Sequence, residues 1–114
     1  MVYKLVITND ATSDLRTLQA YLEAFFGQKA ANKVISTIIA QLQQLGSYPK
    51  LGASASVIDD QLDNYRYLRD RRNTIFYRID EDRAAVIIER IFDNRENIIR
   101  ELNDYLDKNM PPET

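Results

Sequence analysis

The chain contains neither cysteine nor histidine among its 114 residues. Without cysteine it has no disulfide framework and no thiolate chemistry, and without histidine it lacks the commonest metal ligand and the commonest general base near neutral pH. These two absences exclude Ser-His-Asp catalysis, Cys-His catalysis and the ordinary zinc-enzyme sites. We therefore expect a protein that uses neither a metal ion nor a cofactor.

Long apolar runs and glycine are also scarce. No stretch of apolar residues is long enough to cross a bilayer, and the amino terminus lacks the basic, apolar and small-residue sections of a signal peptide. The three glycines, at positions 27, 46 and 52, form no glycine-rich phosphate loop. With a hydrophobic fraction of 45%, the composition predicts a single domain over residues 1–114 that is cytoplasmic and has no membrane partner.

Charge is distributed unevenly along the chain. The formal net charge is −2 and the pI is about 5.1, so the molecule as a whole has no strong attraction for nucleic acid. Between Tyr65 and Arg78, however, five arginines stand against one aspartate. The five are Arg66, Arg69, Arg71, Arg72 and Arg78. This basic stretch is a candidate target-binding surface, although charged turns are commonly only solvated.

Hydrophobic spacing in the first half predicts a strand followed by two helices. The opening MVYKLVIT is rich in β-branched and aromatic residues, and Thr8 or Asn9 can cap a helix that ends at Gly27. Apolar residues recur at helical spacing again from Gln28 to Leu45, and Gly46 is expected to end this second helix in a left-handed conformation. Two long helices joined by one break predict a helical hairpin whose apolar faces need a sheet to cover them.

Three segments of the second half have the composition of strands. They are YRYLR from Tyr65, TIFYRID from Thr74 and AAVIIERIF from Ala84. Their connections are short and polar, which predicts an antiparallel meander. Alternation places Ile75, Tyr77 and Ile79 on one face and Thr74, Phe76, Arg78 and Asp80 on the other. We expect one face to pack on the helices and the other to be available to a partner. A terminal helix is predicted from about Asp93, with Asp93 and Glu96 as its capping box.

The pattern therefore predicts an α+β fold in the order β-α-α-β-β-β-α. An N-terminal strand and a two-helix hairpin pack on an antiparallel β-sheet, and a short helix follows the last strand.

Particular pieces of this sequence resemble a known family. In chain order they are the helix start TNDATSDL, the Pro-Lys-Leu-Gly stretch from Pro49, the strands around Ile75 to Ile79 and the ERIFDNRENI that ends the sheet. In this order they make the chain similar to the RelE/ParE superfamily of bacterial toxins. The resemblance implies a growth inhibitor neutralised by a co-expressed antitoxin, a disordered segment of which orders on binding. RelE-like members cut messenger RNA in the ribosomal decoding site, whereas ParE-like members inhibit DNA gyrase and are not nucleases.

The resemblance implies two alternative sets of functional residues. RNA cleavage without histidine needs arginine, lysine or tyrosine to stabilise charge and to transfer protons. The RelE-like candidates for this catalytic work are Arg95 after the last strand, Arg78 in the central strand and Tyr105 on the terminal helix. The family's own central-strand position holds Thr74. Under the ParE-like alternative, Arg90 and Arg95 look like the pair of basic residues that ends the sheet.

Three functions remain open at this point. Ribosome-dependent cleavage of messenger RNA is the leading prediction, because many superfamily members are nucleases. The alternatives are a non-catalytic inhibitor of DNA gyrase and a degenerate homologue that only binds its antitoxin. The predicted partners are accordingly an antitoxin together with either the ribosome and messenger RNA or DNA gyrase. The candidates for target binding are Arg66, Arg69, Arg71, Arg72 and Arg90.

Structural interpretations compete with the functional ones. For arginines within strands, such as Arg78 and Arg90, the competing interpretation is a cross-strand ion pair, for example with Glu89 or Asp80. The acidic turns at 59–60 and 80–82 are expected to be solvated rather than to bind a metal ion.

Overall fold

Apart from one additional short strand and two 3₁₀ turns, the chain folds into helices and strands in the predicted order. The computed structural model describes residues 2–57, 60–62, 64–95 and 98–109. Its elements are β1 (Lys4–Ile7), α1 (Asn9–Phe26), α2 (Gln28–Ser47), β2 (Ala53–Ser54), two 3₁₀ turns (Ala55–Val57 and Asp60–Leu62), β3 (Tyr65–Arg69), β4 (Asn73–Asp80), β5 (Ala85–Asp93) and α3 (Ile98–Asn109). The α+β class is confirmed. The terminal helix was predicted to begin at about Asp93, which is wrong, because Asp93 is the last residue of β5 and α3 begins at Ile98. Glu96 of the proposed capping box and Asp59 of the first acidic turn lie outside the described residues.

The five strands form one mixed sheet in the order β1-β5-β4-β3-β2. The predicted meander is confirmed, since β3, β4 and β5 pair antiparallel. We expected an antiparallel sheet throughout, but β1 lies parallel to β5 and pairs Lys4 with Ala85. No tight turn joins these two strands, and only a tight turn forces neighbours to run antiparallel. The two-residue edge strand β2, which pairs with β3, was not predicted.

The two helices begin as the sequence predicts but differ at one end. The Thr8 side chain caps α1 by accepting a hydrogen bond from the Ala11 backbone N–H at 3.1 Å, and Gly27 separates α1 from α2 with φ of 89°. The prediction that Gly46 ends α2 in a left-handed conformation is wrong, because Gly46 lies within the helix. Its role is close packing, since a Cβ there would lie 3.2 Å from the carbonyl oxygen of Tyr3.

Each face of the sheet carries its own apolar cluster. The alternation predicted for β4 is confirmed, because Ile75 and Tyr77 pack with α1 and α2 while Phe76 points to the opposite side. One face of the sheet was expected to pack on helices and the other to be open to a partner. The face away from α1 and α2 is instead partly covered, because Leu102 of α3 and Leu62 of a 3₁₀ turn, each 2% exposed, pack there together with Phe76. The terminal helix therefore covers part of the face, because its apolar stripe also needs burial.

Tyr77 fixes the loop after α2 from within the core. Its hydroxyl donates a hydrogen bond to the carbonyl oxygen of Pro49 at 2.7 Å and accepts one from the Gly52 N–H at 3.0 Å. A Cβ on Gly52 would lie only 2.5 Å from the carbonyl oxygen of Tyr67, so this close approach requires glycine. The Arg66 Nε donates to the Gly52 carbonyl at 3.0 Å and holds the loop from the other side.

A β-bulge changes the direction of the side chains near the end of β5. The register shifts so that Phe76 faces Arg90 whereas Tyr77 faces Ile88, which leaves Glu89 as the extra residue. Bulges re-aim the side chains around them. Here both Glu89 and Arg90 come to contact Tyr105 of α3. In the described ranges, no helix combines the length and the apolar character that crossing a membrane requires.

Candidate functional site

Glu89 joins three elements through its buried carboxylate. The Nε of Arg78, on β4, donates to Oε1 of Glu89 at 2.9 Å, and the Tyr105 hydroxyl, on α3, donates to Oε2 at 2.6 Å. Glu89 itself is only 9% exposed, and these charged and polar partners offset the cost of its burial. The structural interpretation of Arg78 as half of a cross-strand ion pair with Glu89 is thus confirmed.

The environment of Tyr105 makes it a weak acid. Burial, followed by the hydrogen bond to Glu89, raises the pKa of the Tyr105 phenol well above its ordinary value of 10.0. A phenol with a raised pKa is a poorer proton donor to a leaving group and forms the phenolate less readily. This arrangement fixes α3 to the sheet and disfavours proton transfer by Tyr105 at neutral pH.

Arg90 is bound to a residue that sequence reasoning missed. Its Nε and its terminal nitrogen donate to the two carboxylate oxygens of Asp14 at 2.7 and 2.9 Å. The Ile91 N–H donates to the same carboxylate at 2.8 Å, and the Thr8 hydroxyl donates to the Glu89 carbonyl at 3.0 Å. Because β1 ends at Ile7, the side chains of Thr8, which caps α1, and of Asp14 within α1 satisfy the backbone groups of β5 that no longer have β1 beside them. The sequence offers no signal that distinguishes Asp14 from a solvated acid on a helix.

Two aromatic rings also contact the Arg90 guanidinium. Its guanidinium carbon lies 4.8 Å from the centre of the Phe92 ring and 5.4 Å from that of Tyr105. The hydrogen bonds to Asp14 raise the pKa of Arg90 against the opposing effect of partial burial. Arg90 thus connects α1, β5 and α3 and acts as part of the framework.

Arg95 lies after β5 on the surface, with its side chain 68% exposed. Its guanidinium donates to the Asp93 carboxylate, with the shortest distance at 2.6 Å, and to the Tyr21 hydroxyl at 3.0 Å. The guanidinium carbon also lies 4.9 Å from the centre of the Tyr21 ring. The hydrogen bond from Arg95 holds the pKa of Asp93 below its ordinary value. Arg95 is therefore oriented by its partners yet accessible to another molecule.

The turn between β3 and β4 is organised by Asp70. One oxygen of its carboxylate accepts hydrogen bonds from the backbone N–H groups of Arg72 and Asn73 at 2.9 and 2.8 Å, and the other accepts from Gln41 at 2.8 Å. Partial burial opposes ionisation of Asp70, but these hydrogen bonds prevail and lower its pKa. The turn is consequently held in a single shape.

Asn94 links this turn to the residues after β5. Its side-chain amide donates to the Asp70 carbonyl at 2.7 Å, and its backbone N–H donates to the Arg72 carbonyl at 2.8 Å. The Thr74 hydroxyl donates to the Asn94 side-chain oxygen at 2.7 Å. Thr74 thereby supports a turn. The two hydrogen bonds that Asn94 donates to the β3–β4 turn bring Arg71 and Arg72 beside Arg95.

A cavity of about 350 Å³ opens among these residues. Its apolar wall comes from the two helices, and arginines from the two turns line its edge. We call it the arginine-rimmed groove, lined principally by Leu18, Tyr21, Leu22, Phe26, Val34, Arg71, Arg72 and Arg95. A second cavity shares Leu18, Tyr21 and Arg95 and extends toward Asp14 and Arg90. The groove thus runs along α1 toward the part of β5 that contains Arg90.

The predicted site residues divide into two groups. Arg71, Arg72 and Arg95 meet at the groove, whereas Arg78 and Tyr105 meet at Glu89 on the sheet face covered by α3. The predicted catalytic set is therefore not assembled at one place. Of the target-binding candidates that do not line the first cavity, Arg66 supports the loop after α2, Arg90 is bound to Asp14, and Arg69 is exposed on β3.

The model of one family, described as the ParE toxin of type II toxin-antitoxin system, parDE, matches residues 5–98. The chain belongs to the ParE toxin family. The resemblance to the RelE/ParE superfamily is thereby confirmed. The comparison with curated proteins gives no match.

Solved structures agree with this ParE fold. The chromosomal ParDE toxin–antitoxin system from P. aeruginosa contains a chain that is 22% identical, with a TM-score of 0.67 and coverage of 81% of this chain and 96% of that one. The toxin–antitoxin complex RelBE2 from Mycobacterium tuberculosis contains one that is 17% identical, with a TM-score of 0.63 and coverage of 84% and 95%. At these identities the likeness establishes the shared fold alone.

Proposed function

We propose that this ParE-family toxin is neutralised by a co-expressed antitoxin and inhibits growth by binding DNA gyrase rather than by cleaving messenger RNA. Membership of the ParE family supports the first part, since the family description itself specifies a toxin–antitoxin system. The resemblance to ParE-like gyrase inhibitors supports the second part. The antitoxin partner and the gyrase target are both part of the proposal.

The separation of the predicted catalytic residues carries the argument. Cleavage of RNA through its 2′-hydroxyl requires a base, an acid and a cation to act on one phosphate. Arg78 and Tyr105 both use their polar groups on Glu89, whereas Arg95 uses its guanidinium on Asp93 and Tyr21. Ribosome-dependent cleavage, the leading prediction from the sequence, would require these three side chains to leave their present partners and to meet at one phosphate. An inhibitor that blocks gyrase needs only a complementary surface.

Arg95 is the residue that we assign to the gyrase contact. It is exposed, its orientation is fixed by Asp93 and Tyr21, and it matches a basic position in the family resemblance. An oriented arginine loses less side-chain entropy on binding than a mobile one. Arg90, the other residue of the basic pair, supports the surface through Asp14.

Induced expression of the chain, with pulse labelling of DNA and protein synthesis in one culture, tests the target. We expect DNA synthesis to fall first, with filamentation, and we expect the purified toxin to inhibit supercoiling by gyrase. An early fall in translation with fragmented messenger RNA would instead establish the nuclease mechanism. Unimpaired growth, with the folded protein present, would mean that this homologue has lost its toxicity.

An Arg95→Ala variant tests the surface. We expect the concentration that half-inhibits supercoiling to rise at least tenfold and growth arrest to be relieved, while antitoxin binding is preserved. The melting temperature should fall by no more than about 4 °C, because exposed ion pairs contribute at most about 1 kcal/mol and each kcal/mol corresponds to about 4 °C for a chain of this size. The matched control is Arg83→Ala, which removes an arginine that is 84% exposed in the β4–β5 turn at the opposite end of β4. Equal toxicity of the two variants would remove Arg95 from the contact.

A further inference from the structure

Two connections of the chain meet where the pairing of β4 with β5 ends. The last paired residues are Asn73 of β4 and Asp93 of β5, and Asn94 follows directly. The backbone N–H of Asn94 donates to the carbonyl oxygen of Arg72 at 2.8 Å, so the two chain segments stay paired one residue beyond the strands. The β3–β4 turn is thereby attached to the residues that follow β5.

The side chain of Asn94 makes a second attachment, which requires a primary amide. Its nitrogen donates to the Asp70 carbonyl at 2.7 Å, and its oxygen accepts from the Thr74 hydroxyl at 2.7 Å. Both a donor and an acceptor are needed at this position, and an asparagine supplies both from one short side chain. Aspartate would place an oxygen against the Asp70 carbonyl, and alanine would remove both hydrogen bonds.

These attachments set the relative positions of three arginines. Arg71 and Arg72 lie in the attached turn and are exposed, and Arg95 follows Asn94 with its side chain 68% exposed. All three line the arginine-rimmed groove. The hydrogen bonds of the Asp70 carboxylate order the turn internally, whereas those of Asn94 fix the turn relative to Arg95.

The carboxylates beside these arginines are less accessible than the guanidinium groups. The Asp93 side chain is 24% exposed, against 68% for Arg95, with which it is paired. The Asp70 carboxylate attracts Arg72, but it is partly buried and accepts hydrogen bonds from two backbone N–H groups and from Gln41. A partner that approaches therefore meets cations first, although the net charge of the chain is −2. The complementary surface on such a partner is acidic.

We propose that Asn94 is a positioning residue of the toxin, which holds Arg71 and Arg72 against Arg95 so that the three guanidinium groups bind one acidic surface of gyrase together. The identity of the partner rests on the proposed function. Asn94 acts through the arginines and makes no contact of its own with gyrase. A surface whose shape is fixed in advance loses less conformational entropy on binding than one that must be assembled from independent loops.

A double-mutant cycle distinguishes positioning from general support of the fold. The four full-length toxins are the wild type, Asn94→Ala, the arginine pair Arg71→Ala with Arg72→Ala, and the combination of all three substitutions. Asn94→Ser, whose hydroxyl is too short to reach both partners, is the second variant for the same cycle. We expect Asn94→Ala and the arginine pair each to raise the concentration that half-inhibits supercoiling about tenfold. The combination should exceed the arginine pair by less than about twofold, because Asn94 then has no arginines to position.

The melting temperature should not show this dependence. Asn94→Ala removes the same hydrogen bonds in both backgrounds, so it should lower the melting temperature equally with and without the two arginines. Gly52→Ala is the destabilised control, because its Cβ would lie 2.5 Å from the Tyr67 carbonyl oxygen in the loop after α2. It should lower the melting temperature yet keep the half-inhibitory concentration within about twofold of the wild type.

Ionic strength tests the charge of the partner surface. The dissociation constant of the toxin with purified, DNA-free gyrase should rise more steeply for the wild type than for the arginine pair between about 50 and about 200 mM salt, because salt screens exposed charges. The matched charge control is Lys4→Ala with Arg83→Ala, which removes two exposed cations at the opposite end of the sheet. It should retain the salt dependence of the wild type.

The proposal is overturned if the effects of Asn94→Ala and of the arginine pair on inhibition multiply, since Asn94 would then act independently of the two arginines. Equal salt dependence of the wild type and the arginine pair would exclude the acidic surface, and binding that requires DNA would transfer the contact from gyrase to phosphate. A wild-type toxin that arrests growth without binding gyrase would refute gyrase as the target. Growth arrest by the same four toxins would then still decide whether Asn94 acts through the arginines. A folded wild type that arrests no growth would overturn both proposals.

Discussion

The contact between Asp14 and Arg90 is the interaction whose removal should most clearly change the stability of this toxin. Asp14 accepts three hydrogen bonds, two from the Arg90 guanidinium and one from the Ile91 N–H. The Arg90 and Asp14 side chains are 19% and 16% exposed. An Asp14→Ala substitution would leave a largely buried cation and a backbone donor of β5 without their acceptor.

The expected loss follows from these contacts. Hydrogen bonds to charged groups contribute about 1.5 to 3 kcal/mol each, and removal of one partner of a buried pair costs about 3 to 5 kcal/mol. Because water reaches part of the vacated site, we take the lower end, about 3 kcal/mol. For a chain of 114 residues, each kcal/mol lowers the melting temperature by about 4 °C, so the decrease should be about 12 °C.

Thermal and urea denaturation followed by circular dichroism measure this loss. Asp82→Ala, in the exposed β4–β5 turn, is the matched control and should lower the melting temperature by less than about 2 °C. A double-mutant cycle with Arg90→Ala should return a coupling free energy of about 1.5 kcal/mol or more. If Asp14→Ala melts within about 3 °C of the wild type, the premise that α1 secures β5 through this carboxylate is refuted.

Three other predictions concern the loop, the sheet and pH. Gly52→Ala should lower the free energy of unfolding, measured by urea denaturation, by about 2 kcal/mol, because the new Cβ would lie 2.5 Å from the Tyr67 carbonyl oxygen. Gly27→Ala is the comparison variant, because nothing lies within 4 Å of its Cβ and its positive φ makes backbone strain the cost of the substitution. Glu89→Gln should lower the pKa of Tyr105, measured by NMR titration of the phenol, since burial and then the hydrogen bond to Glu89 raise it; an unchanged pKa would mean that burial alone is responsible. The folded pKa of Asp70 is lowered by its hydrogen bonds although burial opposes this, so its contribution to stability is present above its ordinary pKa of 3.8 and is lost as pH falls through the lower folded value. The free energy of unfolding should therefore decrease less steeply as pH falls below about 4 in Asp70→Asn than in the wild type. Identical pH profiles of stability would show that Asp70 makes no such contribution.

The local elements and the family resemblance could be recognised from the sequence. Thr8 capped the first helix and Gly27 ended it as expected, because caps and breaks depend on a few neighbouring residues. The alternation in β4 correctly separated Tyr77 from Phe76. A period of two specifies which residues share a face wherever the strand is regular. The prediction for Gly46 was wrong because the small residue is needed there by a contact distant in sequence, the close approach of the Tyr3 carbonyl just before β1.

The candidate site was only partly predictable, because it too depends on contacts between residues distant in sequence. The sequence alone determined that five arginines are concentrated between Tyr65 and Arg78 and that no histidine is available for catalysis. Only the tertiary structure decided that β1 runs parallel to β5 and that a bulge aims Glu89 at Arg78 and Tyr105. It likewise brought Arg95 beside the β3–β4 turn through Asn94. Periodicity records which face of an element is buried, whereas the pairing of side chains distant in sequence depends on strand register and crossover geometry, which no local pattern encodes.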